Sequence, residues 1–382
     1  MTEPMTPPEP TPSAAPAVAP AGATHALAGA AAGAAGTVVG PEVATAPTPP
    51  RRRRRRVAIL ILLLVILGLV ALFAGWYLVT RKPISELPVI PPVPTNPAPS
   101  YATSLYGGRT GGLDSPTGVA VTADGSRVYV AQSGGPKTVV ILDAKGEPIG
   151  ELKPPAAEAT DHVPVYVAVN PTNGDVYVSD RVTAKVYVYS SDGVYRRTFD
   201  PGKDITNDGW LPLGMGFAKD GTFFVTNLSA PAKVHQFASD GAFVQTIQPT
   251  KDELDFPNGV WPDANGNVYV SDSNNGRLRV FASDGREIGS VPRGAREGDL
   301  GLPRGVVIDD QNRVFVVDTS AHGVNLYKTL GPDERKPTYL ARFGTQGTTD
   351  GAFEFPNGIA ADARGRIYVT DTANNRVQVW SY

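Results

Sequence analysis

Residues 355–380 read FPNGIAADARGRIYVTDTANNRVQVW, and residues 256–281 read FPNGVWPDANGNVYVSDSNNGRLRVF. The two stretches share one pattern, and four weaker copies follow it elsewhere in the chain. Each copy opens on a proline, at Pro116, Pro164, Pro212, Pro257, Pro303 and Pro356. These prolines are 45 to 53 residues apart. A repeat of this length, built from short β-rich runs, is typical of a β-propeller with one blade per copy.

Each copy contains four short runs that read as β-strands. An apolar run such as GVVI (305–308) follows the proline, and a turn such as Asn265-Gly266 follows the run. Asn, Asp and Gly tolerate positive φ and therefore suit two-residue hairpin turns. An alternating run such as VYVS (268–271), a third run and a more polar fourth run complete the copy. The sequence thus predicts an all-β, six-bladed propeller with four antiparallel strands per blade.

The sixth copy lacks its fourth strand, because the chain ends at Tyr382 just after the third run. Residues 100–118 resemble the junction between the fifth and sixth copies in their aromatic residues, glycine pairs and final Pro-x-Gly. We therefore predict that Tyr101–Gly107 is the outer strand of the blade completed by Phe355–Tyr382. This N-terminal strand closes the last blade and leaves no unpaired edge at the junction.

The composition excludes several classes of site. The 382 residues include no cysteine, which excludes disulfides, thiolate metal sites and a thiol nucleophile. Residues 101–382 contain 27 Lys and Arg against 33 Asp and Glu. A mildly acidic module is a poor general ligand for a polyphosphate backbone, so we expect no nucleic-acid partner.

The first hundred residues predict a membrane anchor. Residues 1–50 form a disordered Pro/Ala-rich tail, and residues 51–82 contain six consecutive arginines followed by an uncharged stretch at 57–79. That stretch makes about 34 Å of helix, enough to span a bilayer once. Six basic residues precede it and two follow, which predicts a cytoplasmic N-terminus in the cell membrane. A Pro-rich stalk at 83–100 then holds the extracytoplasmic propeller, residues 101–382.

The runs DSNNGRLRVF (272–281) and DTANNRVQVW (371–380), each preceded by a Pro-Asn-Gly start, resemble the NHL repeat family. The resemblance covers residues 101–382 and implies a six-bladed propeller that binds proteins, peptides or, in some animal members, RNA. With its single helix the chain is similar to the sensor ectodomains of some bacterial receptor kinases, although it has no kinase domain. The predicted function is therefore a binding or scaffolding module for a protein or peptide on the outer side, without a cofactor.

Two alternatives stay open. Related six-bladed enzymes include a peptidyl-amidating lyase and gluconolactonase-like hydrolases that hold Ca²⁺ or Zn²⁺ in the channel. This resemblance gives a metal-dependent lyase or hydrolase as the first alternative, with its site at the channel mouth and Ca²⁺ in the channel. The sequence matches none of those metal ligands residue by residue and has no Gly-x-Ser-x-Gly, His-Glu-x-x-His or P-loop. Carbohydrate or cell-wall binding is the second alternative, with stacking on Trp210, Tyr166 and Trp261.

Polar residues end the second strand of every copy: Asp180, Asp272, Asp318, Asp371, Gln132 and Asn227. A ring of carboxylates could hold a cation. A basic residue follows five or six positions later in five copies, at Lys137, Lys185, Lys233, Arg277 and Arg376, with His322 near this position in the other. An acid and a base across the same hairpin, repeated in each blade, favour a structural contact that fixes the turn.

The residue after each proline is the better candidate for binding, because inner strands begin at the mouth of the channel. Those residues are Thr117, Val165, Leu213, Asn258, Arg304 and Asn357. Half of the mouth is thus polar and half more apolar, which suits a ligand with one polar or charged end. The predicted ligand-binding set is Asn258, Arg304, Asn357, Thr117, Tyr166, Trp210 and His162. No catalytic or metal-binding residue is predicted.

Overall fold

A computed structural model describes residues 59, 61–69, 98–108, 112–155 and 161–382. Two compact units, Met1–Ile90 and Pro91–Tyr382, make up the chain. In the first unit, residues 61–69 are helical with exposed apolar side chains. Among the described residues, no helix is both long and apolar enough to cross a membrane. The rest of the predicted span at 57–79, together with residues 1–56 and 80–97, lies outside the described residues.

The second unit begins with one strand and three blades. Strand β1 covers Ser100–Leu105. Blade 1 contains β2 (Pro116–Val121), β3 (Arg127–Gln132), β4 (Val139–Asp143) and β5 (Pro148–Leu152). Blade 2 contains β6 (Pro164–Val169), β7 (Val176–Asp180), β8 (Lys185–Tyr189) and β9 (Tyr195–Thr198). After a short helix at Lys203–Asn207, blade 3 contains β10 (Pro212–Phe217), β11 (Phe223–Asn227), β12 (Lys233–Phe237) and β13 (Phe243–Ile247).

Three further blades complete the ring. Blade 4 contains β14 (Pro257–Pro262), β15 (Val268–Asp272), β16 (Arg277–Phe281) and β17 (Glu287–Val291). Blade 5 contains β18 (Pro303–Ile308), β19 (Arg313–Asp318), β20 (Gly323–Lys328) and β21 (Tyr339–Phe343). A small parallel pair of strands, β22 (Thr345–Gln346) and β23 (Ala352–Phe353), precedes blade 6. Blade 6 contains β24 (Pro356–Ala361), β25 (Ile367–Asp371), a 3₁₀ turn at Thr372–Asn374 and β26 (Arg376–Ser381).

Each of the six prolines is the first residue of an inner strand, as the sequence predicted. Neighbouring inner strands contact one another around the whole ring, and β24 packs back onto β2. Blades 1 to 5 each pair four consecutive antiparallel strands. The six-bladed architecture and the four-stranded blades are therefore confirmed.

The last blade is closed by the N-terminal strand. Its sheet order is β1-β26-β25-β24, so β1 supplies the missing outer strand. The register places Thr103 opposite Val379 and Leu105 opposite Val377. The predicted strand Tyr101–Gly107 is thus Ser100–Leu105, since the backbone has already turned to positive φ at Gly107.

Apolar side chains from facing blades form the core between them. Blades 2 and 3 share a cluster that includes Tyr177, Phe217 and Phe223, in which the two phenylalanine rings stack at 4.6 Å. Valine and aromatic residues alternate along the second strands, and both faces of these strands are buried. This packing leaves the channel and the loops at its mouth as the places where polar side chains can act.

Candidate functional site

Five blades carry a glycine two residues after the proline, and each glycine lies against the next blade. A Cβ on Gly214 would lie 1.9 Å from the carbonyl oxygen of Asn258. The four equivalent Cβ positions would lie 2.6 to 2.8 Å from a carbonyl oxygen of the next blade, in the pairs Gly118–Val165, Gly259–Arg304, Gly305–Asn357 and Gly358–Thr117. The structure therefore brings the first residue after each of these prolines to one level around the channel.

Blade 2 departs from this pattern, because Tyr166 stands where the other blades have glycine. Its side chain is buried and packs in the core shared by blades 2 and 3. Its hydroxyl lies 3.2 Å from the position that a Cβ would take on Gly259, so it reaches from blade 2 to blade 4. No described residue forms a hydrogen bond with this hydroxyl, and burial raises the pKa of Tyr166. The phenol is therefore a neutral donor at neutral pH.

Arg304 is a half-buried cation at the same level. Its guanidinium carbon lies 5.3 Å from the centre of the Phe256 ring, within the range of a cation–π contact. Among the described residues no carboxylate pairs with it. Burial alone lowers the pKa of Arg304, although a guanidinium stays charged at any physiological pH. The charge has been partly removed from water without a counter-charge, which makes this position receptive to an anion.

Asn258 is 5% exposed, and its Oδ1 is buried without a hydrogen-bond partner among the described residues. Buried polar atoms are normally paired, and leaving one unpaired costs about 1–3 kcal/mol. Asn357 is half-buried in the equivalent place of blade 6. The Thr117 hydroxyl is only weakly engaged, 3.4 Å from the Ala131 carbonyl oxygen. The polar half of the mouth thus has hydrogen-bonding capacity that the protein itself does not use.

Two phenylalanines beside the mouth adopt a left-handed backbone conformation, which the sequence reasoning did not anticipate. Phe256 has φ 53° and Phe355 has φ 52°, and each directly precedes a proline. Bulky residues rarely adopt positive φ, and such strain is concentrated at functional sites. Phe355 is 53% exposed, and its ring centre lies 4.9 Å from that of His322 in a tilted arrangement. The repeated Phe-Pro-Asn-Gly is the signal that could have identified both rings as rim residues.

Two residues of the predicted set lie elsewhere. Trp210 packs over the third strand of blade 3, with ring distances of 6.0 Å to His235 and 6.4 Å to Phe237. His162 bonds Asp180 at 3.1 Å, and its ring lies 5.8 Å from Tyr187 on the third strand of blade 2. Both loop side chains therefore pack against strands of their own blades. The group at the mouth consists of Thr117, Tyr166, Asn258, Arg304 and Asn357.

The polar residues at the ends of the second strands are buried and act inside their own blades. Each accepts a hydrogen bond from a backbone N–H one or two residues before the proline of its own blade: Gln132 from Asp114, Asp180 from Val163, Asn227 from Leu211, Asp272 from Asp255, Asp318 from Gly301 and Leu302, and Asp371 from Glu354. These contacts fix the loop that enters each inner strand. We call these six polar residues the loop clamps.

Blades 4 and 6 show the ion pair that the sequence predicted across the hairpin. Arg277 donates to Asp272 at 2.7 Å, and Arg376 donates to Asp371 at 2.8 Å. In blade 3 the corresponding lysine, Lys233, pairs instead with Asp208. In blade 5 the nearby His322 lies 3.8 Å from Glu354. The described residues contain no group of three His, Asp or Glu side chains arranged to hold a metal.

A surface cleft of about 470 Å³ lies on blade 5, between residues 294–301 and the turn that follows β19. None of the five mouth residues lines it. Its acid Asp299 already pairs with Lys336 at 3.1 Å, and this ammonium lowers the pKa of the Asp299 carboxyl. Asp318 is a loop clamp. Asp299 and Asp318, two acids of this cleft, are therefore already bonded within the protein.

The sequence matches the family model of the NHL repeat at residues 254–281 and 353–380, which are the two stretches with the clearest pattern. NHL-repeat-containing protein 4 of Mus musculus is 28% identical over 130 residues, covering 34% of this chain and 85% of the mouse protein. Protein brain tumor of Drosophila melanogaster is 27% identical over 129 residues. That match covers 32% of this chain and only 11% of the fly protein.

Among solved structures, a streptogramin B lyase superposes with a TM-score of 0.52 at 13% identity, covering 74% of this chain and 98% of that chain. Virginiamycin B lyase from Staphylococcus aureus, as a catalytically inactive variant with quinupristin, gives a TM-score of 0.50 at 13% identity. That superposition covers 73% of this chain and 98% of the lyase. At this level of identity the similarity concerns the fold alone.

Proposed function

Since the chain carries NHL repeats and folds as a six-bladed propeller, we propose that it binds a protein or peptide partner at the channel mouth. The observation that carries the proposal is the buried Oδ1 of Asn258, which has no hydrogen-bond partner among the described residues. Arg304 of the next blade likewise has no ion-pair partner among them and contacts only the Phe256 ring. A protein keeps such groups at a cost in stability, and a ligand that satisfies them recovers that cost. Asn357 and the exposed Phe355 extend the same rim.

In-cell crosslinking with tagged full-length protein tests this role. The test variant changes Asn258, Arg304 and Asn357 to Ala. The matched control changes Asn173, Asn265 and Arg286 to Ala, three exposed residues in hairpin turns at the opposite ends of the strands. We expect a specific partner that is lost from the test variant and retained by the control.

Retention of the partner by the test variant would move the binding site away from the mouth. Capture of no partner by the unmodified protein would contradict the binding role. Metal analysis of the full-length protein, with melting measured after addition of Ca²⁺ or EDTA, would then test the alternative of a metal-dependent lyase or hydrolase.

The proposal includes display of the propeller on the outer side of the cell membrane by the helix predicted at 57–79. Its support is the sequence pattern, six arginines before the apolar stretch and two basic residues after it. The chain has no cysteine, so Ser283→Cys in an exposed turn gives a single labelling site. We expect a membrane-impermeant maleimide to label this variant on intact cells, whereas labelling only after lysis would contradict the orientation.

A further inference from the structure

Three side chains without a hydrogen-bond or ion-pair partner among the described residues belong to or approach one segment of blade 4, residues 256–259. The Arg304 guanidinium lies over Phe256, the Tyr166 hydroxyl approaches Gly259, and Asn258 lies between these two points in the chain. They come from blades 5, 2 and 4. None of the three side chains forms a hydrogen bond or ion pair with a described residue. We call Tyr166, Asn258 and Arg304 the mouth triad.

The chemistry of the mouth triad selects a ligand with an acceptor and a donor close together. Arg304 offers a fork of N–H donors with a full positive charge, and Tyr166 offers one O–H. Charge-assisted bonds from guanidinium to carboxylate are the strongest of this kind and are frequently bidentate. The buried Oδ1 of Asn258 has the opposite requirement, because it accepts and needs an N–H from the ligand.

A peptide C-terminus meets both requirements, since its carboxylate is joined through one carbon atom to the last peptide N–H. We propose that the mouth triad recognises the free C-terminal carboxylate of a peptide. Arg304 and Tyr166 donate to the carboxylate, and Asn258 accepts from the last N–H. This inference rests on the function proposed above and names the chemistry of the partner.

The position of Tyr166 favours a chain end over an internal loop. The other five blades have glycine and no side chain at this position, whereas the Tyr166 ring reaches from blade 2 to blade 4. A ligand that enters from the mouth therefore meets this ring at the level of the mouth triad. A side-chain carboxylate of Asp or Glu lacks an N–H at the fixed short spacing that a C-terminus provides.

Peptide arrays test the inference with the full-length protein purified in detergent. Each decapeptide is made twice, once with a free C-terminal carboxylate and once as the C-terminal amide, and both sets contain internal Asp and Glu. We expect selected free acids to bind at least about tenfold more tightly than their amides, because only the free acid makes a charge-assisted bond with the guanidinium. Arg304→Ala should remove this difference, and Arg304→Lys should restore it only in part because Lys lacks the planar fork.

Arg296→Ala is the matched control, since it removes an exposed arginine from the loop before blade 5. The Arg296→Ala variant should keep the preference for free acids. The melting temperature of Arg304→Ala should stay at or above that of the unmodified protein, because a cation without an ion-pair partner among the described residues is removed. If acids and amides bind equally well, and Asn258→Ala abolishes the binding of both, the carboxylate inference is overturned. Peptide binding at the mouth would then still hold. Binding of no peptide by the unmodified protein would overturn both.

Discussion

At the scale of single residues, the second position after each inner-strand proline decides how closely two blades approach. Glycine there allows the carbonyl oxygen of the next blade to occupy the space that a side chain would need. These glycines have ordinary backbone angles, and the lack of a Cβ is what matters. Tyr166 is the exception, and its ring contributes the hydroxyl of the mouth triad.

Gly214→Ala should destabilise the propeller by about 1–3 kcal/mol or more, because its Cβ would lie 1.9 Å from the Asn258 carbonyl oxygen. Gly150→Ala in β5 is the control, since a Cβ there would meet only ordinary contacts at 3.4 to 4.0 Å. Chemical denaturation of both variants measures the difference. Equal stability of the two variants would show that the inner strands separate without cost.

Sequence reasoning placed the first residue after each proline at the mouth, because the inner strands begin at that face of the propeller. It misplaced Trp210 and His162, since both are loop residues whose direction depends on tertiary packing. Their rings are held by His235 and Tyr187, which are distant in sequence or on another strand. The left-handed Phe256 was also unpredictable, because the residue before a proline normally avoids that conformation.

At the scale of elements, the loop clamps connect each second strand to the loop that enters the inner strand of the same blade. Asp272 is fully buried and accepts from the Asp255 N–H at 2.7 Å and from Arg277 at 2.7 Å. The sequence pattern of an acid followed by a base predicted a structural contact. It did not predict that the acid would also accept from a backbone N–H. A carboxylate committed in this way is poorly placed to bind a cation.

Asp272→Ala should cost about 3–5 kcal/mol, because it leaves Arg277 and a backbone N–H without their buried partner. Asp284→Ala serves as the comparison, since Asp284 is exposed and lies 3.8 Å from Arg286. That change should alter stability by no more than about 0.5 kcal/mol. Urea denaturation of the two variants gives the values, and a small effect at Asp272 would contradict the role of the loop clamps.

His235 on β12 makes blade 3 sensitive to acid. Burial, with the charge of Lys233 as a second cause, lowers the pKa of His235 from 6.5 to about 4. The unfolded chain therefore binds a proton below about pH 6.5 while the folded protein remains neutral at this position. Stability from this residue is complete above pH 6.5 and falls by roughly 2–3 kcal/mol as the pH drops towards 4. His235→Gln should remove this part of the pH dependence, and identical pH profiles of unfolding would contradict the assignment.

At the scale of the whole molecule, the ring is closed without covalent bonds by β1 on β26. Tyr101 meets Trp380 edge to face at 6.0 Å across this junction. The sequence predicted the closure because the sixth copy lacked a fourth strand and a matching strand preceded the first copy. Residues 1–97, apart from the short helical stretch, lie outside the described residues, so the predicted anchor stays a prediction.

Thr103→Cys combined with Val379→Cys should lock the closure, since these residues are directly opposite in the register. The chain has no other cysteine, so the reduced double variant is its own control. Oxidation should raise the melting temperature, because the crosslink restricts the unfolded chain over a long loop. An unchanged melting temperature on oxidation, with the disulfide shown by mass spectrometry, would mean that unfolding begins elsewhere in the ring.

The central claim is that the channel mouth is the face that meets a partner. A photocrosslinking amino acid at Phe355, exposed beside the mouth, tests it in cells, with Val194 at the exposed outer edge of blade 2 as the comparison. We predict a discrete crosslinked protein or peptide from position 355 that is absent from position 194 and is lost when Arg304→Ala is added. The same products from both positions, or products from position 194 alone, would contradict the account.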